Sequence, residues 1–184
     1  MILYSKELLQ ELLEMTQANI KAVETFKNET SAILNWKEHP ESWSALECME
    51  HLNRYGNFYI PEITQRINHA KHKSSEIFKS NWLGKYFSKS VSYQEHLNKM
   101  KTFKSMNPLN SKLDRDTIDT FLNQQQQIIE LLDRAKDVNL DKTKTNISIS
   151  KLIKLKLGDT FRVLIYHNER HIKQAEKAIL KANR

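Results

Sequence analysis

Residues 157–175 read LGDTFRVLIYHNERHIKQA. Phe161, Leu164, Ile165, Ile172, Ala175 and, further on, Ile179 recur at three- and four-residue spacing. That period predicts a long amphipathic helix with one buried side, starting near Gly158 or Asp159. His167 and His171 are four apart and share the face of Leu164, so they point toward the core. Two imidazoles so placed can grip one metal ion. Asn168, not Glu, follows His167, so zinc-protease chemistry of the usual helical pattern is not indicated.

A third histidine comes from SWSALECMEHL, residues 42–52. Ser44 and Glu47 have capping-box spacing, which predicts a helix start with each side chain bonded to the other's backbone amide. Trp43 can pack back over the first turn. His51 shares its helix face with Tyr55 and Phe58. Three histidines on core-facing surfaces are costly unless satisfied. One divalent metal ion would satisfy all three; separate hydrogen-bond partners would do so as well. Three histidines with an open position are a catalytic-metal pattern, because a closed structural site would use four protein ligands.

Other chemistry-bearing side chains read less sharply. Cys48, three before His51, is either a fourth soft ligand or a buried structural thiol. Glu169 is a weak candidate for a general base; a solvated or lysine-paired role is the competing expectation. Tyr55, Tyr166 and Gln174 are candidates to orient an imidazole, with Tyr166 badly directed for it. His39, His69, His72 and His96 fall at helix ends or in loops, where surface or capping roles are expected, although His69 and His72 are close enough to take up metal adventitiously.

The rest of the chain continues the helical pattern. Leu8, Leu12, Met15, Asn19, Ala22, Phe26 and Ile33 predict a first helix over about 5–35. The second runs from Ser44 to about Ala70, with a kink expected before Pro61. The third, capped by Asp114, carries Ile118, Phe121, Leu122, Gln125, Ile128, Ile129 and Leu132 to about Ala135. Residues 71–111 read as an irregular basic excursion, too long for an ordinary helix–helix loop, and so a lid or a crossover. Its Phe78, Trp82, Leu83 and Phe87 should fold back on the bundle. Residues 136–150 read as a linker, with a short turn at Ile149–Ile153. With only three glycines and three prolines in 184 residues, the expectation is an all-α single domain spanning 1–184. Four long helices would form a bundle with long crossover connections.

Composition sets the outer bounds. Hydrophobic residues make up 39%, which excludes a disordered chain. A single cysteine excludes an internal disulfide and points to reducing surroundings. No apolar run approaches a membrane span, and residues 1–15 are an amphipathic helix rather than a secretory signal, so a cytoplasmic protein with no membrane association is expected. Formal charge is +7, with lysines 71, 73, 79, 85, 89, 99, 101 and 104 spread through the middle and a second group at 142, 144, 151, 154 and 156. They read as a solvated surface; specific nucleic-acid binding is not expected without a base-reading helix or an RNA-binding aromatic motif.

Taken in order, Trp43, Ser44, Glu47, His51 and Leu52, the stretch NWLG, and His167, Arg170, His171 and Gln174 resemble the DinB-like superfamily of metal-dependent enzymes. The resemblance spans nearly the whole chain. It implies a four-helix bundle of nonstandard connectivity and one divalent ion, zinc or nickel, on His51, His167 and His171. It often goes with a homodimer. Characterised relatives include thiol S-transferases that use low-molecular-weight thiols. The implied reactions on a small-molecule substrate are thiol transfer, with a thiol as the group at the open metal position, or hydrolysis, with water there. A helical binding protein that keeps a metal for stability is the non-enzymatic alternative.

Overall fold

The computed structural model describes residues 1–93 and 102–184. His96, Lys99 and Lys101 lie outside them. The chain opens on a short strand β1 (Ile2–Tyr4) that leads into helix α1 (Ser5–Phe26). The first helix is shorter than its apolar period suggested. Arg115 donates to the carbonyl of Lys27, the C-cap of α1, and to that of Glu29 in the turn beyond it. Thr30 then caps a four-residue helix, α2 (Ser31–Leu34), by accepting from the Ile33 amide.

Helix α3 (Ala45–Asn68) begins at the expected capping box: the Ser44 hydroxyl accepts from the Glu47 amide, and the Glu47 carboxylate accepts from the Ser44 amide. It runs through Pro61 as one helix. The excursion that follows is more ordered than its sequence suggested. Strand β2 (Ile77–Lys79) pairs antiparallel with β1, and helix α4 (Trp82–Val91) starts at Asn81, whose side chain accepts from the Gly84 amide. Its aromatic residues divide. Phe78 is fully buried, a gain of roughly 1.5–3 kcal/mol over leaving it in water. Trp82 is 77% exposed and Tyr86 is also exposed, so the expectation that all would fold back holds only in part.

After a single 3-10 turn at Lys104–Met106 comes helix α5 (Asp116–Arg134), preceded by Asp114, which accepts from the Asp116 amide. The second linker holds a hairpin rather than a turn. Strands β3 (Lys144–Ile147) and β4 (Ser150–Lys156) pair antiparallel with an irregularity at Asn146/Ile147. Ile147 and Leu155 are buried on it. The branched residues of 145–157 form runs too short to separate strand from turn before their pairing is known. Helix α6 (Leu157–Ala182) closes the chain.

The long helices α1, α3, α5 and α6 form the bundle. Both α1 and α3 pack against α5 and α6, so α1 and α3 sit at opposite corners. Two core clusters fix the directions. One joins Leu8, Leu12, Ile63, Ile67, Ile128, Leu132, Leu157 and Phe161; the other joins Val23, Phe26, Leu46, Met49, Ile118, Phe121, Ile172 and Ala175. Helices α1 and α6 therefore run one way, and α3 and α5 the other. Because α3 and α5 are parallel neighbours, the chain must return along the bundle between them, about 36 Å for the 24 residues of α3. This is the physical reason for residues 69–115.

A polar layer separates the two apolar clusters. Thr16, Asn19, His51, Asn53, Thr117, Gln124, Gln125, His167, Asn168 and His171 are all buried. Most of the layer is hydrogen-bonded: Thr16 to the Leu12 carbonyl, Asn53 to the Thr117 carbonyl, Gln124 to Asn57, and Asn168 to Gln125. Among the described residues, no helix is long and apolar enough to cross a membrane.

Candidate metal centre

His51 comes from the second turn of α3, His167 and His171 from the middle of α6. Those helices pack against each other in opposite directions and bring the three rings together. One nitrogen from each ring lies within 4.8 Å of the other two. The Nε2 atoms of His51 and His167 are 3.3 Å apart. Two nitrogens bound tetrahedrally to one ion at 2.0–2.1 Å stand roughly 3.3–3.4 Å apart. The separation fits an ion between them.

The far side of two rings is already committed. His51 Nδ1 lies 2.7 Å from the Met106 carbonyl oxygen. A carbonyl only accepts, so Nδ1 carries the hydrogen and Nε2 keeps its lone pair toward the cluster. His171 Nδ1 lies 2.9 Å from Gln174 Oε1 and takes the same tautomer. Outer hydrogen bonds of this kind orient ligating imidazoles.

Burial keeps all three rings neutral at neutral pH. It pushes His51 down to about 4, against the Met106 bond that favours the charged form. It lowers His171 to about 3, helped by His51. His167 lies well below the ordinary range, through burial and then the charges of His171 and His51. Neutral imidazoles are the form that binds metal.

Aromatic walls enclose the cluster. Trp43 lies 4.6 Å from His51 and 5.6 Å from His171, ring centre to ring centre. Tyr55 lies 4.6 Å from His167 and 5.0 Å from His51. Burial raises the Tyr55 hydroxyl to about 12, so it stays protonated. Arg170 also lowers His167 and His171, and Arg54, itself paired with Glu50 at 2.8 Å, lowers His51.

The other sequence candidates fall elsewhere. Cys48 is fully buried in the apolar cluster with Phe26 and Leu34 and outside the histidine group; burial pushes its thiol up. Glu47 is spent on the cap and also accepts from Lys37 and the Asn110 amide. Glu169 is half-buried on α6, outside the group of three, and its charge acts on Lys173. Tyr166 turns away and donates to Glu11. His39, His69 and His72 are exposed, with His69 bonded to the Gln65 carbonyl at the end of α3. The partners that sequence reading missed are Met106, which acts through its backbone and carries no residue-type signal, and Arg54, whose role depends on the chain that crosses it.

Fold and site together define a helical bundle with a buried three-histidine cluster that can hold a metal ion. The sequence profile of the DinB superfamily matches residues 9–175, and the chain belongs to that superfamily. Comparison with curated proteins and with solved structures gave no match.

Proposed function

We propose that His51, His167 and His171 hold one divalent ion, zinc or nickel, and that the centre activates a low-molecular-weight thiol for transfer to a small electrophile. The observation that carries the metal assignment is the convergence of one nitrogen from each of the three rings within 4.8 Å, with the rings of His51 and His171 held from behind by Met106 and Gln174. Bound on three nitrogens, the ion supplies Lewis acidity at its open position and lowers the pKa of a thiol there.

The surroundings favour thiol transfer over hydrolysis. Among the described residues, no carboxylate joins the histidine group. Water activation gains most from an adjacent general base. A thiol, more acidic than water, would lose its proton to solvent on binding the ion and needs no base, and the charge of Arg170 acting on His167 and His171 favours the thiolate. Trp43 and Tyr55 supply apolar walls for the organic part of the substrate.

Elemental analysis of protein purified without a metal-affinity tag should give about one zinc or nickel per chain. Turnover of a generic electrophile with a panel of low-molecular-weight thiols, against His51→Ala, tests the reaction. Thiol-dependent turnover lost in the variant supports transfer. Ester or amide cleavage without thiol transfers support to hydrolysis. Metal without any turnover moves it to the binding protein, and equal activity in His51→Ala removes the metal mechanism.

A further inference from the structure

Arg54 lies one turn beyond His51 on α3, and its guanidinium faces the chain that covers the cluster. Its Nε donates to Glu50 at 2.8 Å, which sets the plane of the fork. One terminal nitrogen donates to the Asn107 carbonyl at 2.8 Å and to the Ser105 carbonyl at 3.5 Å; the other reaches the Ser111 hydroxyl at 3.4 Å. Ser105 and Asn107 flank Met106, the residue whose carbonyl meets His51.

The reason lies in the turn itself. In the 3-10 turn Lys104–Met106, the carbonyls of Phe103 and Lys104 accept from the amides of Met106 and Asn107. The next three carbonyls are left without partners inside the turn. Arg54 satisfies the two outer ones and His51 the middle one. The far end is pinned separately: the Asn110 amide donates to Glu47 at 2.6 Å, and Lys37 bridges Glu47 and Asn110. Asn110 adopts φ 63°, a left-handed conformation that the surrounding bonds must hold.

We propose that Arg54 is a positioning residue for His51. By gripping the carbonyls on either side of Met106, it holds the Met106 carbonyl against Nδ1 and so fixes the tautomer that presents Nε2 to the cluster. The consequence for metal affinity rests on the metal reading above; the tautomer does not.

The test compares wild type, Arg54→Ala, Arg54→Lys and Arg66→Ala. Arg66 forms the same one-turn ion pair with Glu62, further along α3 and outside the cluster, and serves as the control. The first readout is the ring tautomer of His51 in metal-free protein, from long-range proton–nitrogen NMR. The second is zinc affinity by competition with a chelator. Wild type and Arg66→Ala are expected to hold the hydrogen on Nδ1. Arg54→Ala should show both tautomers and bind zinc about tenfold more weakly, the lower end of what outer partners carry. Arg54→Lys keeps one cation on the carbonyls and should recover most of the Nδ1 form. An unchanged tautomer and unchanged affinity in Arg54→Ala would overturn the proposal. If Arg54→Ala does not fold, Arg54→Lys decides: a measurable population with the hydrogen on Nε2 supports the proposal, and a tautomer and zinc affinity identical to wild type overturn it. Absence of zinc binding in wild type strikes the metal reading, and the tautomer measurement still decides this one.

Discussion

His51 and His167 stand 116 residues apart in the chain and 3.3 Å apart through their Nε2 atoms. Their helices run in opposite directions, so the approach depends on α3 and α6 being neighbours across the bundle. Replacing His171 by Ala is expected to lower zinc affinity by roughly a hundredfold or more, beyond the 10–100-fold that outer partners carry. Metal stoichiometry of tag-free protein checks it, and wild-type content in the variant would remove His171 as a ligand.

Gln174 accepts from His171 Nδ1 at 2.9 Å. Gln174→Ala should leave the fold intact and weaken zinc binding about tenfold. Chelator competition measures this, with Glu176→Ala, two residues on and paired with Lys173, expected at wild-type affinity.

The metal-free protein should lose stability as pH falls below about 6.5. His51 and His171 are lowered to about 4 and about 3. Below the unfolded value the unfolded chain binds protons that the folded chain refuses, so stability present above 6.5 declines as pH drops toward the folded values. Each ring contributes on the order of 2 kcal/mol of loss by pH 5. Urea melts in chelator at pH 7.5 and pH 5 should show it. In the variant with both changed to Gln, the slope over this range should shrink.

Asp159 is fully buried at the start of α6, where it accepts from Ser80 at 2.6 Å and pairs with the buried Arg162 at 3.3 Å. Asp159→Ala leaves that guanidinium without its carboxylate and should cost on the order of 3–5 kcal/mol. Gly84, at the third position of α4, packs so closely that an added Cβ would overlap the Asp159 carboxylate. Gly84→Ala is therefore expected to destabilise by about 1–3 kcal/mol despite its better helix propensity. Thermal melts of both variants distinguish this from a surface glycine, where alanine would stabilise.

Cys48 should resist thiol reagents in the folded protein and react on unfolding, because it is fully buried and its thiol is raised. Cys48→Ala should retain the full metal content. Loss of metal in that variant would restore the cysteine as a ligand.

Helix content and the histidine faces were legible in the chain because both are local. The period of Phe161, Leu164, Ile165 and Ile172 marks the buried side of α6, and four-residue spacing places His167 and His171 upon it. Ser44 and Glu47 mark the start of α3 within one turn, since a capping box is a contact between near neighbours. The hairpin at 144–156 was missed, because short branched runs are ambiguous between strand and helix until a partner is known.

The sequence by itself determined that three histidines face a helical core and that burial would have to satisfy them. The tertiary structure alone decided that they meet, that Cys48 and Glu169 stand apart, and that the Met106 carbonyl lies against the ring of His51 with Arg54 on the carbonyls to either side. Residue type reveals the side chains able to bind, whereas a carbonyl is present at every position. Which carbonyl reaches an imidazole depends on where the crossover chain lies, and that is set by packing between segments far apart in sequence.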